Sequence, residues 1–157
     1  MRKPFALAFF LAFLASACGP RYLLKETRQL EGETWSYADS LSFQAAIRDT
    51  ARIYDISLLV KHQTSFHFQN LYLRIHTGFP DGKKLTQVLS LELANKAGKW
   101  QGACRGDHCT LEVPIQLNAF FNQTGVHTFT LEQYMRADDL PGISALGIRI
   151  KEAGSRK

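Results

Sequence analysis

The chain has 157 residues, with 19 Lys and Arg against 14 Asp and Glu, for a formal charge of +5. That excess is mild and no basic stripe accompanies it, which argues against nucleic acid as a partner. The length suits one domain with a genuine core, and neither low-complexity stretches nor internal repeats break it up.

The first 17 residues read as an export signal. Met1-Arg2-Lys3 is basic, Phe5 to Leu14 is apolar, and Ala15, Ser16 and Ala17 are small. A membrane-spanning helix needs about 20 apolar residues, more than this run supplies before Gly19-Pro20 breaks it. Cys18, directly after the small residues, resembles the acceptor of a bacterial lipoprotein signal. On that resemblance Cys18 receives a diacylglycerol thioether and becomes the acylated N-terminus. An ordinary signal with a chance cysteine is the alternative. Cleavage leaves a net charge of +3, from 17 basic and 14 acidic residues. Residues 18–32 are polar and aperiodic and are expected to form a lipidated tether, with a short helix from Tyr22 to Leu30 as the other possibility.

From Trp35 onward the dominant period is two, that of a strand. Tyr54, Ile56, Leu58 and Val60 share one face, and Leu71, Leu73 and Ile75 alternate with Tyr72, Arg74 and His76. Between Leu85 and Ala97 a helix is conceivable, because Leu85, Leu89 and Leu93 are four apart. The alternation Leu89-Leu91-Leu93 followed by a glycine turn into Trp100 favours a hairpin strand. Further alternating runs follow at Leu111 to Leu117, His127 to Leu131 and Leu146 to Ile150. Pro114 has no amide hydrogen to give a ladder, so its strand should lie at an edge or carry a bulge. Turn residues separate the runs at Pro80-Asp81-Gly82, Asn95 to Gly98, Gly106-Asp107, Asn122 to Gly125 and Pro141-Gly142. The expected fold is all-β: a single antiparallel β-sandwich, jelly-roll-like, over residues 33–153, with a polar tail at 154–157.

Cys104 and Cys109 close the short loop CRGDHC. In an exported protein the pair reads first as a disulfide and second as free thiols. A metal reading comes third, because zinc sites use tighter cysteine spacing and a second ligand pair. The five histidines show no metal-ligand spacing beyond His62-x₄-His67, and neither a nucleophile elbow nor a phosphate loop is present. No catalytic residue, metal or cofactor is therefore assigned, apart from the covalent lipid on Cys18. Gln133 to Leu140 reads as a loop or one helical turn. Within it Arg136 either pins the loop through a carboxylate, Asp138 or Asp49, or contacts a partner. Trp35 and Trp100 are core residues or, in the alternative, a sugar-stacking platform.

Several stretches together are similar to the gliding motility lipoprotein GldH family. They are Trp35, Phe43, Asp49-Thr50 and Tyr54, then F-x-F-Q-N-L-Y-L at 66–73, G-F-P at 78–80 and G-K-W-Q-G at 98–102. L-E-Q-Y-M-R-A-D-D-L-P-G-I-S-A-L-G-I-R-I follows at 131–150. Phe66 and Phe68 stand where tyrosine is expected, and the Cys104/Cys109 pair is additional. The resemblance implies a non-catalytic envelope lipoprotein that assembles or stabilises the gliding machinery and its linked secretion apparatus. Its partners would be the membrane, through the anchor, and other envelope proteins of that machinery, with no nucleic acid and no small-molecule ligand. Gly19-Pro20-Arg21 lacks the aspartate associated with inner-membrane retention, which points to the outer membrane, facing the periplasm. A carbohydrate-binding β-sandwich lipoprotein of the same compartment is the alternative.

Overall fold

The computed structural model describes residues 19–156. The export signal and Cys18 lie outside the described residues. The strands are β1 (Tyr22–Gln29), β2 (Thr34–Ser36), β3 (Leu41–Ile47), β4 (Arg52–Gln63), β5 (Asn70–Gly78) and β6 (Lys84–Glu92). They continue as β7 (Ala103–Arg105), β8 (His108–Ala119), β9 (Gly125–Gln133), β10 (Asp139–Pro141) and β11 (Ile143–Ser155). Two antiparallel sheets, ordered β1-β11-β4-β8-β7 and β3-β9-β5-β6, face each other as a sandwich, and β10-β2 forms a small third ladder at one end.

The period-two runs supply the inner faces. Ile56, Leu58 and Val60 of β4 and Leu146, Ile148 and Ile150 of β11 look across at Phe43, Leu73, Ile75 and Leu131, all buried. Each such side chain contributes about 1.5–3 kcal/mol by leaving water, so nonlocal strand pairing, not local propensity, holds the domain together. The segment from Lys84 is the strand β6 and not a helix, in register with β5 from Gly78↔Lys84 to Asn70↔Glu92. β8 is paired on its far side only through His108–Thr110, so Pro114 sits on a free edge opposite Ser57, beside a register shift. Both consequences of its missing amide hydrogen are realised.

One segment departs from the sequence reading. Residues 22–29 are neither tether nor helix; they are β1, paired with β11 from Tyr22↔Lys151 to Gln29↔Ala145. Without β1, the long strand β11 would leave a row of amide and carbonyl groups unpaired. The strand is hard to see in the sequence because Glu26 and Arg28 occupy inward positions where apolar residues are expected. They pair at 2.6 Å, and the Arg28 guanidinium lies 5.7 Å from the centre of the Phe43 ring. The domain therefore starts at Tyr22 and runs through Ser155, beyond the expected limits of 33 and 153.

Candidate functional site

At the end of the sandwich where β5 begins and β9 finishes, a depression of about 580 Å³ is lined by Phe68, Tyr72, Tyr134, Met135 and Arg136. Strand alternation puts Tyr72 on the outer face, because Leu71 and Leu73 point inward. Phe68 reaches the surface from a ring packed edge-on against the buried Phe66, with centroids 5.6 Å apart. Phe68, Tyr72 and Tyr134 are each a little over 40% exposed. The Arg74 guanidinium stacks 4.0 Å above the Tyr134 ring, an attraction between a cation and the ring's negative face. The Met135 sulfur accepts the Tyr72 amide hydrogen at 3.3 Å, and the Tyr134 amide donates to the Tyr72 carbonyl at 2.9 Å. Backbone bonds thus fix the segments that carry Tyr72 and Tyr134, while Arg74 packs on the Tyr134 ring and Phe66 on the Phe68 ring.

The loop that carries Met135 and Arg136 is pinned by Gln133, a residue the sequence did not single out. Its buried amide donates to the Ala137 carbonyl at 2.7 Å and to the Asp138 carbonyl at 3.2 Å, and its oxygen accepts the Met135 amide at 2.9 Å. The expected Arg136–carboxylate pin is not made. Arg136 is exposed and has no ion pair among the described residues, while Asp49 is taken by Arg52 at 3.3 Å. Gln133 falls on the inward phase of β9, and an amide there was the one available signal.

Nearby at the same end, β8 and the 3₁₀ turn Glu31–Glu33 assemble a polar cluster. The His108 ring meets Glu33 through Nε2 and Asp107 through Nδ1, each at 2.7 Å. With carboxylates at both nitrogens, both must donate, which requires the imidazolium. Glu33 and then Asp107 accordingly raise the His108 pKa. The Glu33 carboxyl is held down at about 2 by the Ser144 hydroxyl, the Gln63 amide and the His108 ring. Next to the cluster the Cys104 and Cys109 sulfurs lie within bonding distance across the β7–β8 pair.

His62 is fully buried beneath Trp100, with ring centroids 4.6 Å apart, and burial lowers its pKa. The same holds for His127, packed among Phe79 and Phe121. Trp35 is wholly buried, and the Trp100 indole is half-buried and donates to the Thr64 carbonyl at 3.1 Å. The two tryptophans therefore form no exposed sugar-stacking platform.

These ionisations carry opposite signs. A base whose folded pKa is lowered destabilises the fold as pH falls below its unfolded value, whereas one whose pKa is raised contributes fully below that value and loses its contribution as pH rises from there through the folded pKa. His62 and His127 are thus expected to weaken the fold as pH drops below about 6.5, and His108 to offset part of that loss. The penalty of His108→Gln, measured by urea unfolding, should be larger at pH 6 than at pH 8. A pH-independent penalty would show that the ring is not charged in the cluster. The Glu33 contribution is complete above about 4.5 and is lost as pH falls from there through its folded pKa of about 2.

Aromatic rings, a methionine and an arginine around a depression are residue types enriched where proteins meet. A family model described as GldH lipoprotein matches residues 22–150. The chain belongs to the GldH lipoprotein family. The match covers β1 through most of β11, so the whole sandwich, depression included, is the family's domain. A gliding motility lipoprotein GldH homolog from Christiangramia forsetii (strain DSM 17595 / CGMCC 1.15422 / KT0803) is 24% identical over 162 residues, spanning 98% of this chain and 99% of that one. It is thus a gliding motility lipoprotein by family, associated with the membrane of the cell envelope. Among solved structures, dimeric latent PorU from Porphyromonas gingivalis is matched over 82% of this chain and 11% of that chain, at 10% identity and a TM-score of 0.31. A structure of infectious bursal disease virus, Gt strain, is matched over 82% and 42%, at 11% identity and a TM-score of 0.17. Neither of these structural likenesses carries a functional inference.

Proposed function

We propose that the protein is a non-catalytic, lipid-anchored component of the gliding apparatus that assembles or stabilises it, and the secretion apparatus linked to it, by gripping a neighbouring envelope protein. The observation that supports this reading most is the Phe68–Tyr72–Tyr134–Met135–Arg136 depression. It is exposed yet preorganised by Gln133 and by Arg74 on Tyr134, so docking costs little side-chain ordering. In this reading Cys18 is acylated, Cys104 and Cys109 are oxidised to a disulfide, and the protein lies on the periplasmic side of the outer membrane. Confinement to a layer against the bilayer raises its effective concentration for membrane-bound partners.

The test is capture of partners from detergent-solubilised envelopes of a deletion strain complemented with wild-type or Tyr134→Ala/Arg136→Ala protein. An anchor residue of this kind is worth about 2 kcal/mol or more, a loss of roughly 30-fold in affinity. The variant should lose both the co-purifying envelope proteins and spreading of the colony, while keeping wild-type thermal stability. Unchanged capture by a folded variant would move the contact surface elsewhere.

A further inference from the structure

Only Gly19, Pro20 and Arg21 separate Cys18 from β1, in place of the tether expected over residues 18–32. Three residues reach about 10 Å at full extension, close to the Debye length of about 8 Å at physiological ionic strength. Whatever end of the sandwich β1 starts from is therefore held within electrostatic range of the leaflet that carries the anchor.

That end is rich in arginine. Here β3 finishes at Ile47, β4 starts at Arg52 and β11 finishes at Ser155. The Glu152 amide donates to the Arg21 carbonyl at 2.8 Å and the Arg156 amide to the Ala51 carbonyl at 2.7 Å, which gathers Arg21, Arg48, Arg52 and Arg156 together. A depression of about 590 Å³ opens between the first three. Two carboxylates face it: Asp49 lies 3.3 Å from Arg52, and Glu152 lies 4.0 Å from Arg52 and 3.8 Å from Arg21. The neighbouring turn is neutral, because Asp81 pairs with Lys83 at 3.2 Å. The arginines at this end thus outnumber the carboxylates, because Asp55, which accepts the Asn118 amide at 3.0 Å near Phe120, is matched by Lys151 opposite it in register. Arg48 has no ion pair among the described residues, and the Arg156 guanidinium rests 4.4 Å above the ring of Phe120, which is 50% exposed. An exposed apolar ring flanked by arginine is the composition of surfaces that bind membranes peripherally, where the cation meets lipid phosphate and the ring enters the boundary between headgroups and acyl chains.

We infer that this end of the sandwich docks onto the anionic lipid headgroups of the leaflet holding the anchor, with Arg48 and Arg156 meeting phosphates and Phe120 at the boundary between headgroups and acyl chains. The inference rests on acylation of Cys18. It turns a tethered domain into an oriented one. β4 runs from Arg52 at the membrane end to Gln63 at the other, about 40 Å for its 12 residues. The Phe68–Arg136 depression is then carried at the outer end, away from the bilayer and free for a partner.

The test uses the mature acylated protein in nanodiscs of either phosphatidylglycerol-rich or pure phosphatidylcholine bilayers, read by hydrogen exchange of peptides covering 47–53 and 119–126. Both should be protected in the anionic discs only, and the protection should fade at high salt. Arg48→Ala and Arg156→Ala should each cut the anionic-disc protection about fivefold, with thermal stability unchanged. Mass spectrometry of the same preparation reports the acyl groups separately. Acyl chains present, with exchange indifferent to lipid charge or to both substitutions, overturn the docking and spare the anchor. An unacylated N-terminus overturns both.

Discussion

Replacing Trp35 by alanine is expected to lower the unfolding free energy by about 3–5 kcal/mol and the midpoint of thermal unfolding by roughly 10–20 °C. The side chain is completely buried, and its β2 partner in the small ladder, Leu140 of β10, is buried with it. Its indole N–H donates to the Asp39 carbonyl at 2.8 Å, closing the turn that leads into β3. Removing the ring leaves a cavity where the small ladder meets the main core, so the loss includes packing as well as transfer from water. Trp35→Phe retains most of the apolar area and forfeits the hydrogen bond, and should cost markedly less. Chemical denaturation of both variants checks this. A loss under 1 kcal/mol for the alanine variant would mean that the indole lies outside the core.

Gly147→Ala is the second large effect, about 1–3 kcal/mol from overpacking, and it falls on one strand. A β-carbon at Gly147 would lie 2.6 Å from the Glu26 carbonyl oxygen and 2.7 Å from the Thr27 hydroxyl, both in β1. The hydroxyl can rotate away, but the backbone oxygen cannot move without shifting the strand. Exchange of the amides in Tyr22–Gln29 should therefore accelerate, while β4 and β5 remain protected. If residues 22–29 were a tether, the substitution would leave their exchange untouched. The same experiment bears on the membrane-facing geometry, because a detached β1 restores slack between anchor and domain.

Local patterns made most of the sandwich legible. The alternation at Tyr54–Val60, Leu71–Ile75, Leu89–Leu93 and Leu146–Ile150 marks strands because a half-buried strand must send every second side chain inward. Pro114 announced an edge because it lacks an amide hydrogen. β1 escaped because an ion pair, Glu26–Arg28, stands on its inner face, and its acceptability depends on Phe43, which β3 brings underneath. Gln133 escaped for a similar reason: a glutamine in an apolar phase is justified only by the carbonyls of Ala137 and Asp138 that fold back over it.

The aromatic depression divides the same way. Arg136 was visible as an unusual arginine in a loop, but its lack of a carboxylate partner and its company with Phe68, Tyr72 and Tyr134 were not. Those residues come from different strands and loops, and only the β5–β9 register sets them side by side. By itself, then, the order of residues determined the all-β architecture and the family. The tertiary structure alone decided where the domain begins, which end carries the arginines and which end carries the aromatic depression. Strand identity follows from neighbours two residues apart, whereas a surface is made of residues brought together across the sheet.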